Sequence, residues 1–144
     1  MLSQVCNITG LETHIIQNWV KRGFVSPPHK KKYTKDQLCR VMMLNMLKDI
    51  MPLPSITEML SCVCGEHRVT DDCGLYYYFT DSLSETKEGG SAADAAIKKS
   101  LAGFSEGFAG AKSRLSDVLK TMLTAYIAAE QRKKAMIYAA QLMR

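Results

Sequence analysis

Apolar positions along this chain recur at helical spacing far more than at strand spacing. Leu2, Val5 and Ile8 step by three, with Ser3 as the expected N-cap and Thr9-Gly10 as the break. A second helix is expected from Glu12 or Thr13 to Arg22; it stops at Gly23 and cannot run on through Pro27-Pro28. A third, from Lys35 to about Met51, carries Leu38, Val41, Met42, Met43, Leu44, Met46, Leu47 and Ile50. That surface is too wide for one neighbour, so this helix is expected at the centre of the fold. Thr34 with Gln37, and Ser55 with Glu58, have the spacing of capping boxes, and Pro52 and Pro54 separate the two helices. Ile56, Met59, Leu60 and Val63 make the i, i+3, i+4, i+7 stripe of a helix that packs back.

The back half is also helical by pattern. Leu75, Tyr78, Phe79 and Leu83 follow Asp71-Asp72, a candidate cap. From Ser91 the chain is alanine-rich, and Gly103, Gly107 and Gly110 allow a close backbone approach or a break. One long helix of about 45 Å, at ~1.5 Å per residue, is expected from Lys112 to Met143. Its stripe runs through Leu115, Val118, Leu119, Met122, Leu123, Tyr126, Ala129, Met136, Ile137 and Ala140, interrupted by Glu130 and Lys133. A partner subunit is the expected cover for that stripe, with Leu115, Leu119, Met122, Leu123, Tyr126, Met136 and Ile137 at a dimer interface; folding back on its own chain is the alternative. The expected class is all-α with a small β-wing. The expected divisions are 1–64, an acidic helical connector over 65–111, and the terminal helix over 112–144.

The second helix is the most informative element. Ile15, Ile16, Trp19 and Val20 fill one side, and Thr13, His14, Gln17, Asn18 and Lys21 form an arc opposite. Each residue of the arc can hydrogen-bond and none is acidic. These are side-chain types that read base edges and phosphates in a major groove, although a merely polar surface also accounts for five positions. The segment Ser26-Pro27-Pro28-His29-Lys30-Lys31-Lys32-Tyr33 follows, with three consecutive lysines and an aromatic. Lying between two helices, it is expected to form a hairpin or wing over phosphates, each lysine releasing a counterion; a solvated loop is the plainer alternative. Arg22 and Tyr33 complete the candidate DNA-binding set.

Charge sharpens this picture. The formal net charge is +5, and it is unevenly spread. Residues 1–64 carry eight Lys/Arg against four Asp/Glu, residues 65–94 two against seven, and residues 95–144 nine against three. The densest positive stretch, Lys21 to Lys35, holds six basic residues and no acid. A polyanionic partner is expected there.

The ordered series Thr9-Gly10-Leu11, Ile16-Gln17-Asn18-Trp19-Val20-Lys21-Arg22-Gly23-Phe24-Val25, Pro27-Pro28 and Tyr33-Thr34 resembles the MerR-type winged helix-turn-helix. Phage excisionases have a similar layout, and the likeness is closest to a bacterial family of unknown function with a MerR-like N-terminal half. The resemblance spans about residues 2–63. It implies double-stranded DNA as partner, binding as a homodimer, and an effector of unknown class sensed by the C-terminal part. The family's recognition-helix arginine falls at Gln17, its aromatic pair at Asn18 and Trp19, and its wing arginine at Lys31. This wing is shorter than the family's, and no strand precedes Leu2.

Other chemistry is thin. Cys62-x-Cys64, with His67 and Cys73 nearby, is the candidate metal constellation, but reduced thiols packed as small hydrophobes are the expected reading, as for Cys6 and Cys39. Tyr76-Tyr77-Tyr78-Phe79 is expected to pack in the core; an aromatic pocket for a small molecule is the alternative. No phosphate-binding, dinucleotide or hydrolase motif occurs, and His14, His29 and His67 lack plausible catalytic partners. No enzyme activity and no cofactor are expected. No apolar run is long enough for a membrane span and no secretory signal is evident, so a cytoplasmic location with reduced cysteines is expected. The expectation is a dimeric DNA-binding transcription regulator. A protein-interaction module and a ligand- or metal-sensing regulator are the rivals.

Overall fold

The computed structural model describes residues 1–65, 68–89 and 92–144. Seven helices appear among them: α1 (Leu2–Thr9), α2 (Thr13–Lys21), α3 (Lys35–Leu47), α4 (Leu53–Cys64), α5 (Asp72–Gly89), α6 (Ala93–Ser100) and α7 (Ala111–Leu142). No strand occurs among the described residues, so the class is all-α and the expected β-wing is absent. What remains of it is a single antiparallel bridge between His29 and Lys32. The physical reason lies on both sides of that bridge. Extending the ladder needs an N–H from Pro27, which has none, while the N–H of Thr34 already donates to Gln37 Oε1 at 2.7 Å.

Backbone breaks fall at the expected glycines. Gly10 (φ 76°) and Gly23 (φ 83°) adopt the left-handed conformation after α1 and α2. Thr34 and Gln37 form the expected capping box of α3. The Asp71 carboxylate accepts from the N–H of Gly74 at 2.7 Å and caps α5. Three termini differ from expectation. The first helix begins at Leu2, with Met1 rather than Ser3 at its N-cap. The third ends at Leu47, not Met51, because Pro52 disfavours helix at the residue before it and clashes with the carbonyl four residues back. The fourth begins at Leu53 with Pro52 as N-cap and Pro54 in the first turn, so Ser55 and Glu58 lie inside the helix and form no capping box.

The centre of the fold is α3, which touches α1, α4, α5 and α7. Val41, Met43, Leu44 and Leu47 on it are fully buried. Around them gather Val5, Ile16, Trp19, Ile56, Leu60, Leu75, Phe79 and Leu101, in one cluster fed by every helix. Within the aromatic run, Phe79 is buried edge-on to Tyr126 at 6.0 Å, whereas Tyr77 is exposed. Gly110 (φ 88°) is the N-cap of α7 and turns the chain into it; Gly103 and Gly107 approach nothing that a Cβ would meet. Ser91, where the alanine-rich region is expected to start, lies outside the described residues.

The long helix divides into two parts. Leu115, Leu119, Met122 and Leu123, expected at a subunit interface, are fully buried within their own chain. Tyr126 is half-buried there. Past Ala129 the rest of the chain stops covering the helix, and residues 131–144 are all exposed. The projecting part, residues 131–142, is about 18 Å long at ~1.5 Å per residue. No helix among the described residues is long and apolar enough to cross a membrane.

Candidate nucleic-acid interface

The amphipathic α2 is pressed onto the core by Ile16 and Trp19, both buried. This fixes the opposite face outward: Thr13, His14, Gln17, Asn18, Lys21 and Arg22 are all exposed. Three of them have partners within the chain. Thr13 Oγ1 lies 3.6 Å from Cys6 Sγ. His14 Nδ1 is 3.2 Å from Glu12 Oε2, which brings a carboxylate to the edge of the otherwise acid-free arc. The Arg22 guanidinium lies over the Phe24 ring, 4.6 Å from its centroid. Gln17, Asn18 and Lys21 are the better candidates for base or phosphate contacts.

In place of a wing the chain makes a tight two-residue turn. His29 N–H donates to the Lys32 carbonyl at 3.1 Å, and Lys32 N–H donates back to the His29 carbonyl at 2.9 Å. Lys30 and Lys31 between them have φ of 50° and 64°. Hairpin turns of this kind require positive φ at both central residues and select Asn and Gly there. An L side chain in this region costs about 1–2 kcal/mol. Two lysines are therefore held at the tip of the turn against their backbone preference, and both are exposed along with Lys32.

The turn is anchored from below. Gln37 Nε2 donates to the carbonyls of Ser26 (3.2 Å) and Pro27 (2.9 Å), and Gln37 Oε1 receives the Thr34 N–H. One side chain thus caps α3 and clamps the approach to the turn. The capping role was legible in the sequence; the clamp was not, because its partners are ten and eleven residues away. The two left-handed lysines also lacked a sequence signal, since neither glycine nor asparagine marks the turn.

Gln17 of α2 and Lys31 of the turn border the same cleft, which is also lined by Val20, Pro28, Tyr33 and the start of α1. Tyr33 is half-buried there, and its hydroxyl pKa is raised by burial and secondarily by Cys6. The fold therefore joins the two halves of the expected site, with Lys30 and Lys32 flanking Lys31.

Among the described residues, Cys62, Cys64 and Cys73 do not come together as the candidate metal constellation. Cys62 is exposed, with its thiol 3.6 Å from the Glu58 carbonyl, while Cys64 is half-buried. Among the described residues no three His, Cys, Asp or Glu side chains are placed to hold a metal ion. His67 lies outside the described residues.

No curated protein and no solved structure matches the chain. Residues 2–79, which take in the α2 face, the lysine turn and most of the packing beneath them, match the family described as Domain of unknown function (DUF1836); they are more than half of the chain, and the protein belongs to that family.

Proposed function

We propose that this protein is a sequence-specific, double-stranded DNA-binding transcription regulator of the cytoplasm, acting as a homodimer. In this reading α1 and α2 are a MerR-like helix-turn-helix whose wing is reduced to the His29–Lys32 turn. The observation that carries it is the pair of lysines held left-handed at the turn's tip beside the acid-free part of the α2 face. Backbone strain retained at an exposed cationic tip points to a use for the cations. Phosphate oxygens are the matching acceptors, and Gln17, Asn18 and Lys21 supply the donors and acceptors that distinguish base edges.

The test is duplex binding by wild type and variants across a range of salt, with folding checked by circular dichroism. Lys30→Gln with Lys32→Gln should weaken binding to all duplexes alike and flatten the log-affinity against log-salt slope by roughly two units at most. Gln17→Ala should instead weaken the preferred sequence more than a random one, by about 1–3 kcal/mol if a bidentate base contact is lost. A folded wild-type protein that selects nothing from a random duplex pool, even in cell extract, would defeat the DNA reading.

A second copy of the chain is the proposed cover for the projecting end of α7. Met136, Ile137, Tyr138, Leu142 and Met143 are exposed there, Leu142 at 85 %. The buried stripe of α7 continues outward through Met136, Ile137, Ala140 and Met143 at helical spacing.

A further inference from the structure

Two sulfur atoms distant in sequence meet where α5 starts against α3. Cys39 Sγ and Cys73 Sγ are 3.4 Å apart. Contacts on both sides hold them in register. The Cys73 N–H donates to Asp36 Oδ1 at 3.0 Å, and Arg40 donates to Asp72 Oδ1 through Nε at 3.0 Å and Nη2 at 2.9 Å. Asp36, Cys39 and Arg40 share one face of α3 at i, i+3 and i+4. Asp72 and Cys73 are the first two residues of α5. Other thiols contact oxygen instead: Cys6 meets Thr13 Oγ1 and Cys62 meets the Glu58 carbonyl.

We propose that Cys39 and Cys73 are a dithiol–disulfide couple whose oxidation fastens α5 onto α3. A disulfide has an S–S separation of about 2.05 Å, so side-chain rotation must close a gap of roughly 1.4 Å without moving either helix far. The oxidant is a low-molecular-weight disulfide. One thiolate attacks it, forming a mixed disulfide and releasing one thiolate of the reagent. The second thiolate then attacks the protein sulfur of that mixed disulfide and expels the other half. Two cysteine protons end on two reagent thiols, and two electrons pass from the protein to the reagent. Burial raises the pKa of Cys39, while burial and then the hydrogen bond to Asp36 push Cys73 up to about 12. Little thiolate is present near neutrality, so the couple answers sustained oxidation rather than a brief pulse. The closed loop contains the whole of α4, and the link ties the start of α5 to the helix whose Gln37 clamps the approach to the lysine turn.

The experiment uses the full chain with the exposed thiol removed, Cys62→Ser, incubated natively with oxidised glutathione. The expected product is lighter by two hydrogen atoms and shows a Cys39–Cys73 linked peptide on non-reducing digestion. Its thermal midpoint should rise by roughly 5–15 °C, reversibly with dithiothreitol. Adding Cys73→Ser should abolish both the linked peptide and the shift. Stable glutathione adducts on Cys39 or Cys73 without the link, thiols still unreacted after prolonged native incubation, or a link formed only in denaturant would each overturn the proposal.

Discussion

Lys30 and Lys31 set stability against the proposed function at the scale of single residues. Asn-Gly is the pair a two-residue turn with positive φ prefers. Lys30→Asn with Lys31→Gly should therefore raise the unfolding free energy by about 1 kcal/mol in urea titration. The same variant should bind duplex DNA more weakly, with a flatter salt dependence. Tighter folding with unchanged binding would remove the lysines from the interface. Half-buried thiols make a second prediction. Burial, and then the Asp72 carboxylate, push Cys64 from 9.0 up to about 12. A pKa above its unfolded value means stability that is complete below pH 9 and lost as pH rises toward 12. Cys73 and the raised hydroxyls of Tyr33, Tyr76 and Tyr126 act in the same direction. Urea midpoints measured from about pH 8 to pH 11 should fall, and Cys64→Ala should fall less steeply than wild type.

Among the elements, α7 shows what periodicity conveys and what it omits. The stripe from Leu115 to Ala140 keeps helical spacing on either side of its interruption at Glu130 and Lys133, and its helix spans nearly the expected residues. Periodicity identifies the face that avoids water but not the surface that covers it. Leu119 and Met136 look alike on the stripe, yet Leu119 is fully buried and Met136 is 67 % exposed. Leu119→Ala should cost about 2–5 kcal/mol of stability in denaturant unfolding, since it opens a cavity in the chain's own core. A loss below about 1 kcal/mol would contradict that burial. Helix ends were less legible than helix bodies. Ser3 and Ser55 have capping chemistry, but Met1 and Pro52 occupy the cap positions, and Pro54 fits the first turn because its missing N–H is not needed there.

For the whole molecule, the prediction concerns association. Met136→Asp with Ile137→Asp alters residues that the chain's own core does not use, so folding and melting should change little. If the projections pair, wild type should sediment as a concentration-dependent dimer and the double variant as a folded monomer. A wild type that is monomeric at tens of micromolar would refute that pairing.

Local rules written in the sequence were sufficient for the helical bodies, the breaks at Gly10 and Gly23, the Thr34–Gln37 capping box, and the face that α2 turns to solvent. Each depends on residues within a turn or two of one another, where spacing alone sets the geometry. The absence of a β-wing was also written there, in the missing N–H of Pro27, but its weight depended on whether Thr34 N–H was already committed to Gln37. Tertiary structure alone decided the rest. It set Gln17 beside Lys31, brought Gln37 to the Ser26 and Pro27 carbonyls, placed Cys39 against Cys73 across thirty-four positions of sequence, and stopped the core at Ala129. Those outcomes depend on where helices cross and which side chains fill the space between them, and packing of that kind leaves no periodic trace along the chain.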